Sequence, residues 1–152
     1  MTSTISAATL TVTHTEAITL GGQALGVTNT FTVASVNEVY KRVVEVPTSS
    51  KTLLTFSTTV GAGTFIASTT KYVRVTNKDD TNYIELVING ASNNSLCVKL
   101  EAGKSFALGI GASAVDANDS AAITSASFVD LSTITAKANS AAVDVELFVA
   151  GT

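Results

Sequence analysis

The chain has little of what most catalytic and nucleic-acid-binding sites are built from. Among its 152 residues it has no tryptophan, one histidine, one cysteine and one proline, and 14% of its residues are charged. An average soluble domain carries about 25% charged residues. Cys97 has no second cysteine in the chain to pair with, so the fold does not depend on an oxidising compartment. A net charge of −3 argues against a nucleic-acid partner, which requires a basic face.

Signals for membrane insertion and secretion are also missing. No run approaches the roughly 18 to 20 uncharged apolar residues that span a bilayer. The first lysine is Lys41, and residues 1–8 are too polar for the apolar segment of a signal peptide. We therefore predict no membrane partner and synthesis in a reducing cytoplasm. Because 45% of the residues are apolar and few are charged, we expect a homo-oligomer; a threonine-rich monomer is the alternative.

What the chain does have is alternation of apolar and polar residues, which is typical of strands with one buried face. The clearest stretch is 71–108. Its connections at 77–81 and 101–104 are rich in turn formers, so we predict two successive hairpins. The alternating apolar residues of this stretch are Val73, Val75, Ile84, Leu86, Ile88, Leu96, Val98, Leu100, Phe106 and Leu108.

Similar patterns occur on both sides of this stretch. Residues 9–20 carry threonines on odd positions and mostly apolar residues on even ones, and Gly21-Gly22 ends the pattern. Residues 30–46 are rich in β-branched residues and are predicted as strand, with a bulge or turn near Asn37-Glu38. Further strands are predicted at 52–57, 128–137 and 143–149, and a loop at 58–70.

These patterns predict one all-β domain over residues 1–152. About nine or ten strands with little or no helix indicate an antiparallel β-sandwich of the jelly-roll kind. Residues 1–8 are interpreted either as an arm lying on a neighbour or as disordered. Residues 109–127 are small and polar, and are predicted to be a long loop or arm.

Two groups of turn residues have the oxygen ligands that calcium prefers, although neither matches the EF-hand pattern. Such residues also hydrogen-bond their own backbone, which is the alternative interpretation. Gly103-Lys104-Ser105 is similar to the end of a phosphate-binding loop, but Val98 stands where that loop needs a glycine. The two groups are Asp79, Asp80 and Asn82, and Asp116, Asn118 and Asp119.

No other set of residues predicts a convincing chemical site. His14 would need a partner from another chain to bind zinc, and Cys97 is predicted to be structural. The absence of tryptophan argues against a glycosidase cleft and against a sugar-binding platform. We therefore predict no catalytic, cofactor or metal site. The remaining candidates are the carboxylates Glu85, Glu101, Asp144 and Glu146 and the contact residues Tyr40, Tyr72 and Tyr83.

The phrases KYVRVTNKDDTNYIELVI and VKLEAGKSFAL resemble small virion proteins of tailed bacteriophages, especially marine ones. The resemblance covers roughly residues 38–110 and supplies no catalytic residues. It implies a capsid decoration or cement protein that is located in the virion, commonly as a trimer. Its expected partners are further copies of itself and the major capsid protein or another virion protein. The alternative is a fibre or tail-tip module that binds a receptor or glycan.

Overall fold

The computed structural model describes residues 5–91, 95–109, 114–115 and 129–152, and within them the chain is all-β. It contains ten strands of five or more residues and four two-residue strands, with no α-helix in the described ranges. The strands are β1 (Ala8–Thr15), β2 (Thr19–Leu20), β3 (Gln23–Ala24), β4 (Thr28–Val36), β5 (Glu38–Val46), β6 (Lys51–Ser57), β7 (Phe65–Ile66), β8 (Thr70–Asn77), β9 (Ile84–Gly90), β10 (Ser95–Leu100), β11 (Ser105–Gly109), β12 (Ala114–Val115), β13 (Val129–Ala138) and β14 (Val143–Gly151).

Two sheets share one apolar core, as the prediction of an antiparallel sandwich requires. The first sheet has the order β10-β9-β13-β6-β7, and the second has the order β11-β8-β14-β5. The alternating apolar residues of both sheets point into a single cluster of buried side chains. The predicted all-β class and the antiparallel sandwich are therefore confirmed. The most deeply buried large residues of this core are Ile84, Leu86, Ile88, Ile134 and Leu147.

The eight long strands of the sandwich pair in a nested pattern. β5 pairs with β14, β6 with β13, β8 with β11 and β9 with β10, all antiparallel. Each of these pairs lies inside the preceding one along the sequence. Successive pairs also alternate between the two sheets, so the chain crosses from one sheet to the other at nearly every connection.

The prediction of two successive hairpins within 71–108 is wrong. β8 pairs with β11 and β14, and β9 pairs with β10 and β13, so neither predicted turn joins two paired strands. Connections 77–81 and 101–104 instead cross between the sheets at one end of the sandwich. The alternation of apolar residues fixes which face of a strand is buried, but it carries no information about the partner strand.

Asn77 holds these two crossing connections together. Its side chain is fully buried and is the one buried polar side chain among the described residues. Nδ2 donates hydrogen bonds to the carbonyl oxygens of Asn82 at 2.8 Å and Leu100 at 3.1 Å. Its Oδ1 accepts from the backbone N–H of Asp79 at 2.9 Å. All its strong hydrogen-bonding groups are thus used to fix the end of the core.

A third layer covers part of the outer face of the second sheet. β1 and β4 form a two-stranded antiparallel sheet. Its base packs on Tyr72 of β8 and on Ala150 of β14, through a second cluster of buried residues that includes Val33 and Val36. The ring of Phe31 lies 6.1 Å from that of Tyr72, centroid to centroid. The N-terminal hairpin is therefore anchored to the sandwich at its base.

Several local predictions are confirmed by the strand boundaries. The break near Asn37-Glu38 separates β4 from β5, and Ser35 beside it has a positive φ of 60°. The alternate residues Val143 to Val149 are buried, as predicted. Leu96, predicted to face the core, is instead 46% exposed.

Other local predictions differ from the structure or fall outside the described residues. The predicted loop 58–70 includes β7, which pairs in parallel with β6. Residues 1–4 of the predicted arm, and most of 109–127, lie outside the described residues, as does Phe128.

The described ranges contain no helix that is long and apolar enough to cross a membrane.

Candidate interaction surface

The distal part of the N-terminal hairpin extends away from the sandwich. Every residue from Thr13 to Thr30 is exposed, and we call this segment the projecting hairpin. Its strands keep one register past the end of β1 and β4, because Glu16 N–H donates to Val27 O at 2.8 Å and Leu25 N–H to Ile18 O at 2.9 Å. This hairpin is not among the elements predicted above, although alternation on both sides of Gly21-Gly22 is a hairpin signal.

Three glycines shape the projecting hairpin. Gly21 and Gly22, at its tip, have φ values of 59° and 83°, which suit a two-residue turn between twisted strands. A Cβ atom at Gly26 would collide with the carbonyl oxygen of Glu16 on the facing strand. Gly26 therefore permits a close approach of the two strands.

One face of the projecting hairpin is apolar near the tip. By register and alternation it continues the face whose base, Leu10 and Phe31 among others, packs on the sandwich. Burying the exposed part of the four tip side chains would contribute roughly 1 kcal/mol each, or about 4 kcal/mol together. Such a cluster is a candidate interaction surface. It consists of Ile18 (56% exposed), Leu20 (67%), Leu25 (56%) and Val27 (48%).

The opposite face of the hairpin is a row of threonines. Three cross-strand pairs face each other in register, and two of them bring their hydroxyl oxygens to 3.4 and 3.3 Å. The threonines that alternate with apolar residues in 9–20 thus lie on one exposed face. From residue 5 to residue 36 Glu16 is the one carboxylate and there is no lysine, arginine or proline, the residues that usually protect open strand edges from pairing. The pairs are Thr11–Thr32, Thr13–Thr30 and Thr15–Thr28.

A second exposed apolar surface lies on β5, the edge strand of the second sheet. Val39 and Val43 are 59% and 54% exposed, and Lys41 stands between them on the same face. The Lys41 side chain is 61% exposed, and its Nζ lies 3.6 Å from a carboxylate oxygen of Glu146. Glu146 also accepts a 2.6 Å hydrogen bond from Arg74. We call Val39, Lys41 and Val43 the β5 patch.

The candidate catalytic and metal-binding residues are not brought together. His14 lies on β1 opposite Asn29, whereas Cys97 is exposed on β10 of the first sheet. The described residues contain no group of three or more histidine, cysteine, aspartate or glutamate side chains placed to hold a metal ion. Asp116, Asn118 and Asp119 lie outside the described residues.

The candidate carboxylates are divided between the two sheets. Glu85 and Glu101 belong to the first sheet and the turn that follows it, and Glu101 forms a 2.6 Å ion pair with Lys99. Asp144 and Glu146 lie on β14 of the second sheet. A glycosidase needs two carboxyl groups that flank one bond of the substrate. Asp144 and Glu146 share a strand, but Glu146 is already paired with Arg74 and Lys41.

The three tyrosines occupy separate positions. Tyr72 anchors the N-terminal hairpin, and Tyr40 packs edge-on against Phe65 with 5.4 Å between ring centroids. Tyr83 lies under the ammonium group of Lys99, 4.3 Å from the ring centroid. They therefore do not form a shared aromatic platform.

Gly103-Lys104-Ser105 forms the turn into β11 and not a phosphate cradle. Gly103 has a φ of 69°, and Lys104 N–H donates to Glu101 O at 3.1 Å. The carbonyl oxygen of Lys104 accepts from Asn77 N–H at 2.9 Å. These bonds belong to the sandwich end that Asn77 organises.

Asp79 and its neighbours form a self-contained turn. One carboxylate oxygen of Asp79 accepts backbone N–H bonds from Asn82 at 2.6 Å and from Thr81 at 2.8 Å. Asp80 accepts from the hydroxyl of Thr81 at 3.0 Å, and the side-chain oxygen of Asn82 accepts from Ser140 at 2.6 Å. The oxygens considered as calcium ligands therefore hold this turn and join it to Ser140, in agreement with the alternative interpretation that such residues serve the local structure.

These bonds give a prediction for acid conditions. The N–H of Asn82 foremost, and then that of Thr81, lowers the pKa of Asp79 below its ordinary value of 3.8. A lowered pKa contributes stability that is present above pH 3.8 and is lost as the pH falls through the lowered value. A carboxyl NMR titration should thus give a midpoint below 3.8 for Asp79.

The matched variant is Asp79→Asn, which keeps one acceptor oxygen but no charge. We expect its melting temperature to lie below that of the wild type at pH 6 and to converge with it in stronger acid. A titration midpoint at or above the ordinary value, or a constant difference between the two proteins across this range, would contradict the assignment.

A cavity of about 410 Å³ opens where β6 and β11 end and β8 and β13 begin. Its size is within the range of small-molecule sites. The Lys71 ammonium group there donates to the carbonyl oxygen of Ser68 at 2.6 Å. Its lining combines apolar and polar residues, among them Phe56, Val73, Leu131, Ser68, Lys71 and Asp130.

Comparison with protein-family models, with curated proteins and with solved structures finds no match for this chain.

Proposed function

We propose that this protein is a structural component of a phage particle, a decoration or cement protein that stabilises the capsid by bridging its subunits. The observation that carries the proposal is the projecting hairpin, an extension with a single charged residue and an apolar tip that stands clear of a folded sandwich. Such an extension contributes nothing to its own core, so its apolar tip serves contact with another chain. The resemblance of residues 38–110 to virion proteins suggests that this other chain belongs to a virus particle.

The strand order also supports the proposal. We infer that the eight long strands form a jelly roll, because their four nested pairs alternate between two sheets in the order β11-β8-β14-β5 and β10-β9-β13-β6. Viral capsid domains and lectins use this architecture. The fold alone does not assign a function, so the weight rests on the hairpin.

The test is binding to assembled shells. The major capsid protein of the same genome is expressed to form shells, and the purified chain is added and sedimented with them. We expect saturable binding at a fixed ratio of copies to shell subunits and a higher melting temperature of the loaded shells, since a ligand of the native state stabilises it. Antibodies to the chain should also label purified particles.

The matched control for this test is Leu20→Lys with Leu25→Lys, which charges the exposed tip and leaves the core untouched. Shells that neither bind the wild-type chain nor gain stability from it would contradict the proposal.

The cavity beside Lys71 and Asp130 favours a second candidate, a fibre or tail-tip module that binds a glycan. Its hydroxyl and charged groups over apolar residues are the chemistry of a small sugar site. A glycan screen distinguishes the two functions. A specific glycan whose binding is lost in Asp130→Ala, together with no binding to shells, would favour the fibre module.

A further inference from the structure

We propose that the projecting hairpin of one copy lies on the β5 patch of a second copy. In this arrangement Ile18, Leu20, Leu25 and Val27 cover Val39 and Val43 of the neighbour. The inference deepens the proposed function and rests on it in one respect, that the chain works in an assembly. It names the partner of the hairpin tip as the chain itself.

One face of the hairpin has two apolar parts, one at its base and one at its tip. The base of that face, including Leu10 and Phe31, already covers the outer face of the second sheet in its own subunit. His14 and Glu16, with Asn29 opposite, form a polar interruption. Beyond it the tip is apolar again, so the same kind of surface is presented twice, once to its own sheet and once away from it.

The second argument is that the chain offers a matching surface. The β5 patch belongs to the same outer sheet face that receives the base of the hairpin, but lies at its edge strand. Val39 and Val43 are more than half exposed there. A tip that packs on this patch would therefore repeat, on a neighbouring copy, the apolar contact that its own base makes.

Charge provides the third argument. Glu16 is the one charged residue of the projecting hairpin, and Lys41 is the charge at the centre of the β5 patch. Opposite charges at the two surfaces fix the orientation of an apolar contact and disfavour other partners. The tips of two hairpins, in contrast, would bring two carboxylates together.

The area indicates what kind of assembly follows. A stable interface buries about 800 Å² on each partner, more than the four tip side chains alone can supply. The open backbone edges of the hairpin must therefore take part. Because hairpin and patch are different surfaces, the contact is head-to-tail, and such contacts close into rings when the rotation between copies permits. A ring fits the trimer that the resemblance to virion proteins implies.

The test uses disulfide formation between two singly substituted chains. In a Cys97→Ser background, a chain with Ile18→Cys and a differently tagged chain with Val43→Cys are co-expressed, purified and oxidised. Each chain then has one thiol, so any disulfide must join two copies. We expect the Ile18–Val43 pair to form at least about tenfold faster than pairs with the control Val60→Cys, a residue that is 86% exposed elsewhere on the body.

A second measurement does not depend on cysteine chemistry. Ile18→Lys and Val43→Lys, both at exposed positions, should each weaken self-association about 30-fold in sedimentation velocity, with unchanged melting of the separated subunits. An Ile18–Ile18 disulfide that dominates, equal rates with the Val60 control, or a wild-type chain that is monomeric would each overturn the inference.

The two proposals can fail separately. A monomer that binds shells would remove the contact between copies and keep the capsid function. Rings that cross-link as described but do not bind shells would keep the contact between copies and remove the capsid function.

Discussion

Replacing Tyr72 with alanine is expected to detach the N-terminal hairpin and leave the sandwich folded. Tyr72 is 6% exposed and lies between the rings of Phe31 and Phe148, whose centroids are 6.1 and 6.0 Å away. It belongs to the small cluster beneath the hairpin and not to the main core. Truncating a large buried aromatic side chain costs about 3 kcal/mol or more.

The loss should appear locally, because the small cluster and the main core are separate. Amide hydrogens of β1 and of the adjoining part of β4 should exchange on the order of 100-fold faster in Tyr72→Ala, while those of β9 and β13 keep their protection. The control is Tyr83→Ala, which removes a half-buried tyrosine from the connection between β8 and β9, away from the hairpin. Equal acceleration throughout the protein would show that hairpin and sandwich unfold as one unit.

Replacing Asn77 with alanine is expected to destabilise the whole sandwich by about 3 kcal/mol. The change removes two donors from the carbonyl oxygens of Asn82 and Leu100 and the acceptor of Asp79 N–H. The hydrogen bond to the Leu100 carbonyl oxygen is buried. In the variant this oxygen would therefore have neither Asn77 nor bulk water as a donor. For a protein of this size the melting temperature should fall by about 9 °C.

Thermal melting followed by circular dichroism measures this effect. Asn29→Ala provides the matched control, since Asn29 is exposed on the hairpin and should change the melting temperature little. If Asn77→Ala melts within about 2 °C of the wild type, then Asn77 is not what holds the two crossing connections at the end of the core.

The sequence was most informative about which residues are buried. Alternation identified Val73, Ile84, Leu86 and the alternate residues from Val143 to Val149 as core, and all are buried. It gave the wrong connections within 71–108 because a turn of four or five residues can join paired strands or cross between sheets. The deciding contact, the buried Asn77 side chain, is non-local and has no sequence pattern.

The interaction surface was harder to predict for a different reason. Ile18 and Leu20 continue the alternation of Leu10 and Val12, so they were grouped with the same buried face. Alternation cannot tell where a strand leaves the body of the protein, because exposure depends on how far the sheet beneath it extends. The sequence shows the break at Gly21-Gly22. It does not show that the hairpin extends beyond the sheet on which its base packs.

The nested strand pairing has a consequence for biosynthesis. β14 lies between β8 and β5 in the middle of the second sheet, so that sheet stays divided until the last strand has left the ribosome. Sandwiches dominated by such long-range pairings fold slowly. In the described sheet β5 pairs only with β14. The strand that carries the β5 patch is thus fixed in place last. Newly made chains would become competent to join a neighbour only after translation of the sandwich is finished.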